Sequence, residues 1–184
     1  PYDISKIFKD KKLNIVVNDS GDQEYGVSQN QTLNQNLRID LSQKDWYVFT
    51  DNYGTSEEKY LVKYIDKAHD QLKKKYSEIY LVRNERHFQL FNFDDGRPVE
   101  PDFVLFLKKK EGDETLHYQV FIEPKGEHLL EHDAWKEGFL KSLKKQHKIN
   151  VLWKSKKYII WGMPFYNESL RKTEFENAFS ELTV

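Results

Sequence analysis

Two spacings of apolar residues divide most of this chain into predicted helices and strands. After Thr55, apolar residues recur every three or four positions, and Thr55 with Glu58 three positions later fits a capping box, which predicts a helix that starts at residue 55 or 56. Its apolar stripe consists of Leu61, Ile65, Ala68 and Leu72. Short apolar runs predict strands at residues 79–82, 87–91, 103–107, 118–122 and 158–162.

Two more helices are predicted in the second half of the chain. Asp133 is expected to cap a helix that runs to about residue 147, and a last amphipathic helix is expected over residues 168–182. The order of elements is therefore helix, several strands, helix, strand and helix. This order predicts a mixed central β-sheet flanked by helices, in the α/β or α+β class.

The first fifty residues have a weaker pattern. Residues 1–50 are interpreted as an N-terminal extension with short strands at 14–17 and 37–41, while the Gln- and Asn-rich residues 28–36 predict a loop. Residues 51–184 form the main predicted domain, and the whole is expected to be one compact unit. Because the chain begins with Pro1 and not Met, we expect it to be a piece of a longer protein.

Composition narrows the class of protein. The 184 residues suffice for one domain with a sizeable core, and 12 Phe, 11 Tyr and 4 Trp favour a packed interior. With no cysteine, disulfides and thiolate metal sites are excluded, which favours a reducing, cytoplasmic location. No apolar stretch approaches the roughly 20 residues that span a bilayer, so no membrane partner is expected. The net charge of −1 means that a nucleic acid would have to be held by local patches.

Charged residues stand at one end of a predicted β-hairpin. The runs 103–107 and 118–122 flank a polar connector that contains glycine, which is typical of two antiparallel strands joined by a turn. Asp102 opens the first strand and Glu123 closes the second, so their carboxylates are expected to meet. Lys125 should point to the same face as Glu123. Neighbouring carboxylates repel unless a cation joins them, and their hard oxygens favour magnesium or manganese.

These motifs resemble the PD-(D/E)XK nuclease superfamily. Pro101-Asp102 is similar to the first half of its motif, and Glu123-Pro124-Lys125 is similar to the second. More narrowly, residues 55–165 resemble the C-terminal nuclease domain of type III restriction enzyme Res subunits. The resemblance implies a restriction-endonuclease-like core and an endonuclease that hydrolyses phosphodiester bonds in DNA.

The resemblance also implies roles for these residues. Asp102 and Glu123 would bind Mg²⁺, or Mn²⁺ in its place, and the Pro124 carbonyl would be a further ligand. Lys125 would orient or deprotonate the attacking water, or stabilise the charged transition state. Since Pro124 has no N–H, its strand is expected to lie at a sheet edge or to bulge there.

A third catalytic acid is expected at the start of the first helix. Glu57 and Glu58 flank the apolar stripe almost symmetrically, so periodicity leaves both open. Glu58 also suits the capping box, which is a structural role. The resemblance aligns Glu58 with the family's helical acid, which would hold a metal-bound water or a second metal.

The resemblance implies partners beyond this chain. Double-stranded DNA would be the substrate, a helicase motor would belong to the same full-length protein, and a methyltransferase (Mod) subunit would bind it. The chain has no G-x-x-x-x-G-K-[ST] phosphate loop, so any use of ATP would require a motor domain outside it.

A basic segment is the predicted DNA contact. Residues 134–157 hold eight lysines and one acid, Glu137. Such a stripe can bind phosphates without reading sequence, although a solvated helix face is the plainer interpretation. The lysines proposed to bind DNA are Lys136, Lys141, Lys144, Lys145 and Lys148.

Two alternative functions remain open. His128-Leu129-Leu130-Glu131-His132 fits the H-x-x-E-H zinc motif of inverzincin peptidases, provided that both histidines lie on one helix. The domain could also keep the nuclease fold as a catalytically inactive module that binds DNA or docks a partner. The complete set of acids and lysine favours an active nuclease over this alternative.

Overall fold

The computed structural model describes residues 21–92, 95–146 and 156–184, which form a mixed four-stranded sheet flanked by helices. The helices are α1 (Ser56–Lys75), α2 (Ala134–Gln146) and α3 (Lys172–Thr183). The strands are β1 (Glu78–Arg83), β2 (Leu90–Phe91), β3 (Pro98–Val99), β4 (Phe103–Glu111), β5 (Glu114–Ile122) and β6 (Lys156–Gly162). The predicted mixed sheet flanked by helices is thus confirmed.

The main sheet has the strand order β1-β4-β5-β6. Both β1 with β4 and β4 with β5 are antiparallel, whereas β5 and β6 are parallel, with α2 between them in the chain. Strands β2 and β3 form a separate two-stranded ribbon, in which Leu90 pairs with Val99. The strand predicted over residues 87–91 is therefore reduced to its last two residues.

The predicted hairpin is formed by β4 and β5. It is in register from Phe103 opposite Ile122 to Glu111 opposite Glu114. The turn is only Gly112-Asp113, because both strands continue into the polar connector, and Gly112 takes a φ of +61° that favours glycine. This register decides which residues meet at the other end of the hairpin.

Alternation along β4 divides its side chains between two cores. Leu105 packs in a core that also contains Ile65 of α1 and Phe175 of α3. Val104, one position earlier, packs in a second core with Leu140 of α2. Helices α1 and α3 therefore cover one face of the sheet, and α2 covers the other.

Helix α1 starts where the sequence predicts. The Thr55 hydroxyl accepts a hydrogen bond from the Glu58 N–H, and the Glu58 carboxylate accepts one from the Thr55 N–H, each at 3.4 Å. The predicted capping box is thereby confirmed. It holds Glu58 at the first turn of α1, close to the end of the hairpin.

The segment before α1 contains short 3₁₀ helices at Gln35–Leu37 and Leu41–Gln43. Asn34 and Asp40 cap them with their side chains, so backbone groups that a strand would pair are bonded locally. The prediction of a strand at residues 37–41 is therefore wrong. The strand predicted at 14–17 lies outside the described residues.

This segment is fastened to α1 by buried polar contacts. Lys59, a fully buried residue of α1, donates to the backbone carbonyl of Glu24 and lies 3.2 Å from the Glu24 carboxylate. Asp22 accepts hydrogen bonds from the Ser56 N–H at 2.9 Å and from the Ser56 hydroxyl at 2.8 Å. Residues 39–49 also pack in the same core as α1. The described part of the N-terminal segment thus belongs to the same packed body as α1.

The remaining helices differ from the prediction only at their ends. Helix α3 begins at Lys172 and not at residue 168, because residues 168–171 form a turn. Helix α2 is described to Gln146, and its predicted end at residue 147 lies outside the described residues. Among the described residues, no helix has the length and apolar character needed to cross a membrane.

We expect Gly162→Ala to disrupt the packing of α2 on the sheet. A Cβ at Gly162 would lie 2.1 Å from the carbonyl oxygen of Leu140, so α2 would have to move. The free energy of unfolding should fall by about 3 kcal/mol in urea denaturation. Gly138→Ala, where a Cβ meets no neighbouring atom within 4 Å, is the control and should be neutral or stabilise by about 0.5–1 kcal/mol. A Gly162→Ala variant as stable as wild type would contradict this close contact.

Candidate active site

Asp102 and Glu123 meet at the end of the hairpin opposite its turn. Because Phe103 pairs with Ile122, these two acids are next to each other in register. The N–H of Asp102 donates to Glu123 Oε2 at 3.0 Å, and the carbonyl of Asp102 accepts from the N–H of Asn84 at 2.7 Å. The backbone of Asp102 is thus fixed between the ends of β1 and β5.

The Asp102 carboxyl group lies in negative surroundings. Burial raises its pKa, and the charges of Glu123 and Glu58 raise it further, well above the usual range of an aspartate. The charges of Lys125 and Arg83 act in the opposite direction without cancelling this effect. A proton or a cation is therefore favoured at this carboxyl group.

The backbone around Pro124 explains how a proline fits here. Strand β5 ends at Ile122, and the next residues pair with Tyr166. The Tyr166 N–H donates to the Glu123 carbonyl at 2.9 Å, and the Tyr166 carbonyl accepts from the Lys125 N–H at 2.8 Å. The predicted edge position is wrong, because β5 lies between β4 and β6. Pro124 instead lies past the end of β5, between these two bonds, where no N–H of its own is needed. The segment therefore carries Glu123 and Lys125 past the strand end in a fixed backbone.

Two buried carboxylates share the ammonium group of Lys125. Its Nζ lies 2.7 Å from Glu123 Oε1 and 3.0 Å from Asp133 Oδ2, and all three side chains are at most 10% exposed. Burial alone would lower the pKa of Lys125, but the two carboxylates raise it overall. An ammonium group that keeps its proton cannot accept one from water. In this arrangement Lys125 is therefore held as an ammonium ion between two carboxylates.

Asp133 is a site residue that sequence reasoning missed. Its carbonyl accepts the Lys136 N–H at 2.8 Å at the start of α2, but its side chain contacts Lys125, His132 Nδ1 at 2.9 Å and Lys136 Nζ at 3.1 Å. Burial raises the pKa of Asp133, yet these hydrogen bonds lower it well below its usual value. The 3₁₀ helix Glu127–Leu129 and a turn separate Asp133 from Lys125, so no periodic pattern relates them.

The two candidate helical acids have different surroundings. Glu58 Oε2 accepts a hydrogen bond from Arg83 Nε at 2.7 Å, and its charge acts on Asp102. Glu57 instead accepts hydrogen bonds from the Glu168 N–H at 2.9 Å and the Asn167 amide at 3.3 Å. Burial raises the pKa of Glu57, the hydrogen bond from the Glu168 N–H opposes this, and the charges of Glu168 and Asp22 add to the rise. The geometry thus favours Glu58 as the acid nearest the hairpin end.

A solvent-open cleft of about 630 Å³ lies over these residues. It runs between the first turn of α1 and the chain that follows β5. Its lining includes Asp22, Glu57, Glu58, Asp102, Pro124, Lys125 and His128. A substrate in this cleft would reach Asp102 and Lys125 together.

The oxygen atoms around Asp102 are the possible ligands for a divalent cation at this site. The described residues contain no group of three or more His, Asp or Glu side chains arranged to hold a metal ion. Arg83 pairs with Glu58 and Lys125 pairs with Glu123, so two of the carboxylates already form ion pairs with basic side chains. The chemistry nevertheless fits Mg²⁺, which keeps several waters and binds one or two protein carboxylates. The negative surroundings of Asp102 favour such an ion.

The lysines of the predicted DNA contact have acidic partners wherever the structure describes their side chains. The pairs are Lys136 with Asp133, Lys141 with Glu174, and Lys144 with Glu181. The side chain of Lys145 and all of Lys148 lie outside the described part of the chain. These pairs reduce the positive charge of the stripe, and its contact with DNA stays a prediction.

The H-x-x-E-H motif does not lie on one α-helix. His128 belongs to the 3₁₀ helix Glu127–Leu129, whereas His132 lies in the turn before α2 and contacts Asp133. The two imidazoles therefore lack the spacing of one α-helical turn that the zinc motif requires. This observation argues against the peptidase alternative.

Comparisons with known proteins place the chain in a family. A family model described as "HI_1054_C: C-terminal domain" matches residues 2–182. An uncharacterized protein of Haemophilus influenzae is 40% identical over 148 residues, which are 76% of this chain and 32% of that protein. The chain thus spans about a third of the length of this curated relative. No solved structure matches the chain. By the match over nearly its whole length, the chain belongs to the HI_1054_C C-terminal domain family.

Proposed function

We propose that this domain is a metal-dependent DNA endonuclease with a restriction-endonuclease-like core of the PD-(D/E)XK type. The observation that carries the proposal is the convergence of Asp102, Glu123 and Lys125 at one end of the hairpin, under an open cleft. Glu58 faces this point from the first turn of α1. Two acids, a lysine and a helical acid are the groups that hydrolysis of a phosphodiester requires of such a domain.

The chain's own residues divide the work. Lys125 remains an ammonium ion and stabilises the negative charge that develops on the scissile phosphate. Asp102 and Pro124 line the cleft and, with Glu123 next to Asp102, would hold the divalent cation through two carboxylates and the Pro124 carbonyl. A bound Mg²⁺ supplies polarisation of the phosphodiester and a lower pKa for the attacking water. No side chain forms a covalent intermediate in this proposal.

A plasmid assay tests the proposal directly. With Mg²⁺ or Mn²⁺, the protein should convert supercoiled plasmid to nicked and linear forms, and chelator should abolish this conversion. Asp113→Asn is the matched control for Asp102→Asn, because Asp113 is an exposed acid in the turn at the opposite end of the same hairpin. It should cleave as wild type does. Cleavage that persists in chelator, or that is absent with both metals, would contradict the proposal.

The proposed DNA path runs from the cleft to α2. Lys136 contacts Asp133, which contacts Lys125, so this lysine of the predicted stripe is linked to the candidate active site. Phosphate oxygens can compete with the carboxylate partners of Lys136, Lys141 and Lys144 for the same ammonium groups. Lys145 and Lys148 extend the same proposal along the chain. Each lost phosphate contact should reduce the slope of log affinity against log salt concentration by about one.

More narrowly, we propose that this domain is the cleavage module of a cytoplasmic type III restriction enzyme. In that setting a helicase motor in the same full-length protein would use ATP, and a methyltransferase (Mod) subunit would direct the complex to its DNA site. The H. influenzae relative is about three times as long as the part that matches, so that protein has room for further domains. Cleavage by the full-length protein that requires both ATP and the methyltransferase would support this proposal, whereas cleavage indifferent to both would refute it.

A further inference from the structure

Each carboxylate oxygen of Glu123 has a hydrogen-bonding partner in this structure. Its Oε1 lies 2.7 Å from Lys125 Nζ, and its Oε2 accepts the Asp102 N–H at 3.0 Å. A divalent cation bound at Glu123 would repel the Lys125 ammonium group, which lies 2.7 Å from the same carboxylate, and would weaken that contact. The Lys125 side chain is only 10% exposed, so a displaced ammonium group would then need another partner, because an unpaired buried charge is strongly unfavourable.

Asp133 provides that partner from a different element. Its Oδ2 lies 3.0 Å from Lys125 Nζ, and its residue is 6% exposed. His132 and Lys136 hold the same carboxylate at 2.9 Å and 3.1 Å, and its own backbone is fixed at the start of α2. The position of this carboxylate therefore does not depend on Lys125 alone.

We propose that Asp133 is a positioning residue that keeps the Lys125 ammonium group in the cleft while Glu123 binds a divalent cation. The proposal rests on the proposed nuclease function, and it deepens that function by naming a residue outside the motif. Without Asp133, Glu123 would be the one carboxylate among the described residues within hydrogen-bonding distance of Lys125. The ammonium group and the divalent cation would then compete for one carboxylate.

Calorimetric titration with MnCl₂ tests this competition. Asp133→Asn should weaken Mn²⁺ binding about 10- to 100-fold, as substitutions behind a metal ligand do. Its kcat for plasmid cleavage should fall by a similar factor while KM for DNA stays unchanged, and Asp133→Glu should restore both in part.

Glu137→Gln is the matched control. Glu137 is also 6% exposed and lies one helical turn after Asp133, but it accepts the Phe165 N–H and pairs with Lys141 and Arg171. It should keep the wild-type Mn²⁺ affinity even if its Tm falls. Equal losses of Mn²⁺ affinity in both variants would show a general loss of packing and overturn the proposal.

A double-mutant cycle separates the effect of Asp133 on Mn²⁺ binding from any change in stability. In a Lys125→Met background, Asp133→Asn should no longer weaken Mn²⁺ binding, because no ammonium group competes for Glu123. The same loss with and without Lys125 would overturn the proposal. In Mg²⁺-saturated protein, the ¹⁵N signal of the Lys125 ammonium group should stay protected in wild type and be lost in Asp133→Asn, and a signal that stays protected in that variant would also overturn the proposal. Wild type that neither binds Mn²⁺ nor cleaves DNA would instead refute the nuclease function itself.

Discussion

Asp102→Asn should abolish metal-dependent cleavage and at the same time make the protein more stable. The amide cannot carry the charge that holds a divalent cation, so we expect cleavage to fall at least about 1,000-fold, which corresponds to about 4 kcal/mol of transition-state stabilisation. Stability should rise because the amide removes a carboxylate that burial, Glu123 and Glu58 all disfavour. Opposite effects on activity and stability are expected where a residue is kept for function.

The same raised pKa of Asp102 predicts how the stability of the protein depends on pH. Folded Asp102 has a raised pKa, so the folded state binds more protons than the unfolded chain above the usual range of an aspartate. Its contribution to stability is therefore present at low pH and is lost as pH rises from roughly 4 through the raised pKa. In chelator, the advantage of Asp102→Asn over wild type should grow with rising pH. A variant less stable than wild type at neutral pH would contradict the electrostatic description of the site.

Lys125→Met should abolish cleavage as well, but with a large loss of stability. Methionine is similar in length, yet Glu123 and Asp133 would remain buried at 4% and 6% exposure without the cation that they share. Removal of one partner from a buried ion pair costs about 3 kcal/mol or more. For a chain of this size, that loss corresponds to a fall in Tm of roughly 6–12 °C in a thermal scan.

A surface lysine on the same sheet is the control for this substitution. Lys108 pairs with Glu78 at 2.6 Å, but both side chains are at least one-third exposed. Lys108→Met should therefore change the free energy of unfolding by less than about 1 kcal/mol and leave cleavage intact. If the two lysine variants were equally stable, the buried ion pairs of Lys125 would not have the strength that the structure indicates.

The sequence predicts the elements whose signals are local. Two apolar runs around a polar connector that contains glycine predict the hairpin, and its register brings Asp102 beside Glu123. The capping box of Thr55 and Glu58 needs only four consecutive positions, so the start of α1 is also predicted. The mixed sheet follows from the order of these elements.

The sequence does not predict contacts that only the packed fold creates. Arg83 reaches Glu58 from β1, and Asp133 reaches Lys125 across a turn, so neither pair has a spacing that marks it. Residues 37–41 alternate as a strand would, but the Asp40 side chain bonds the backbone and favours a 3₁₀ helix. In each case an ion pair or hydrogen bond made by a side chain determines the structure, and the spacing of apolar residues does not reveal it.

The buried contact between Lys59 and Glu24 determines where the domain can be trimmed. An expression fragment that starts at residue 51 would delete Glu24 and Asp22, leaving the fully buried Lys59 ammonium group without its carboxylate and Ser56 without its acceptor. The first turn of α1 carries Glu58, so such a fragment would lose order where the cleft is built. The N-terminal residues from Gly21 onward are therefore part of the smallest unit that can be expected to fold with its candidate active site formed.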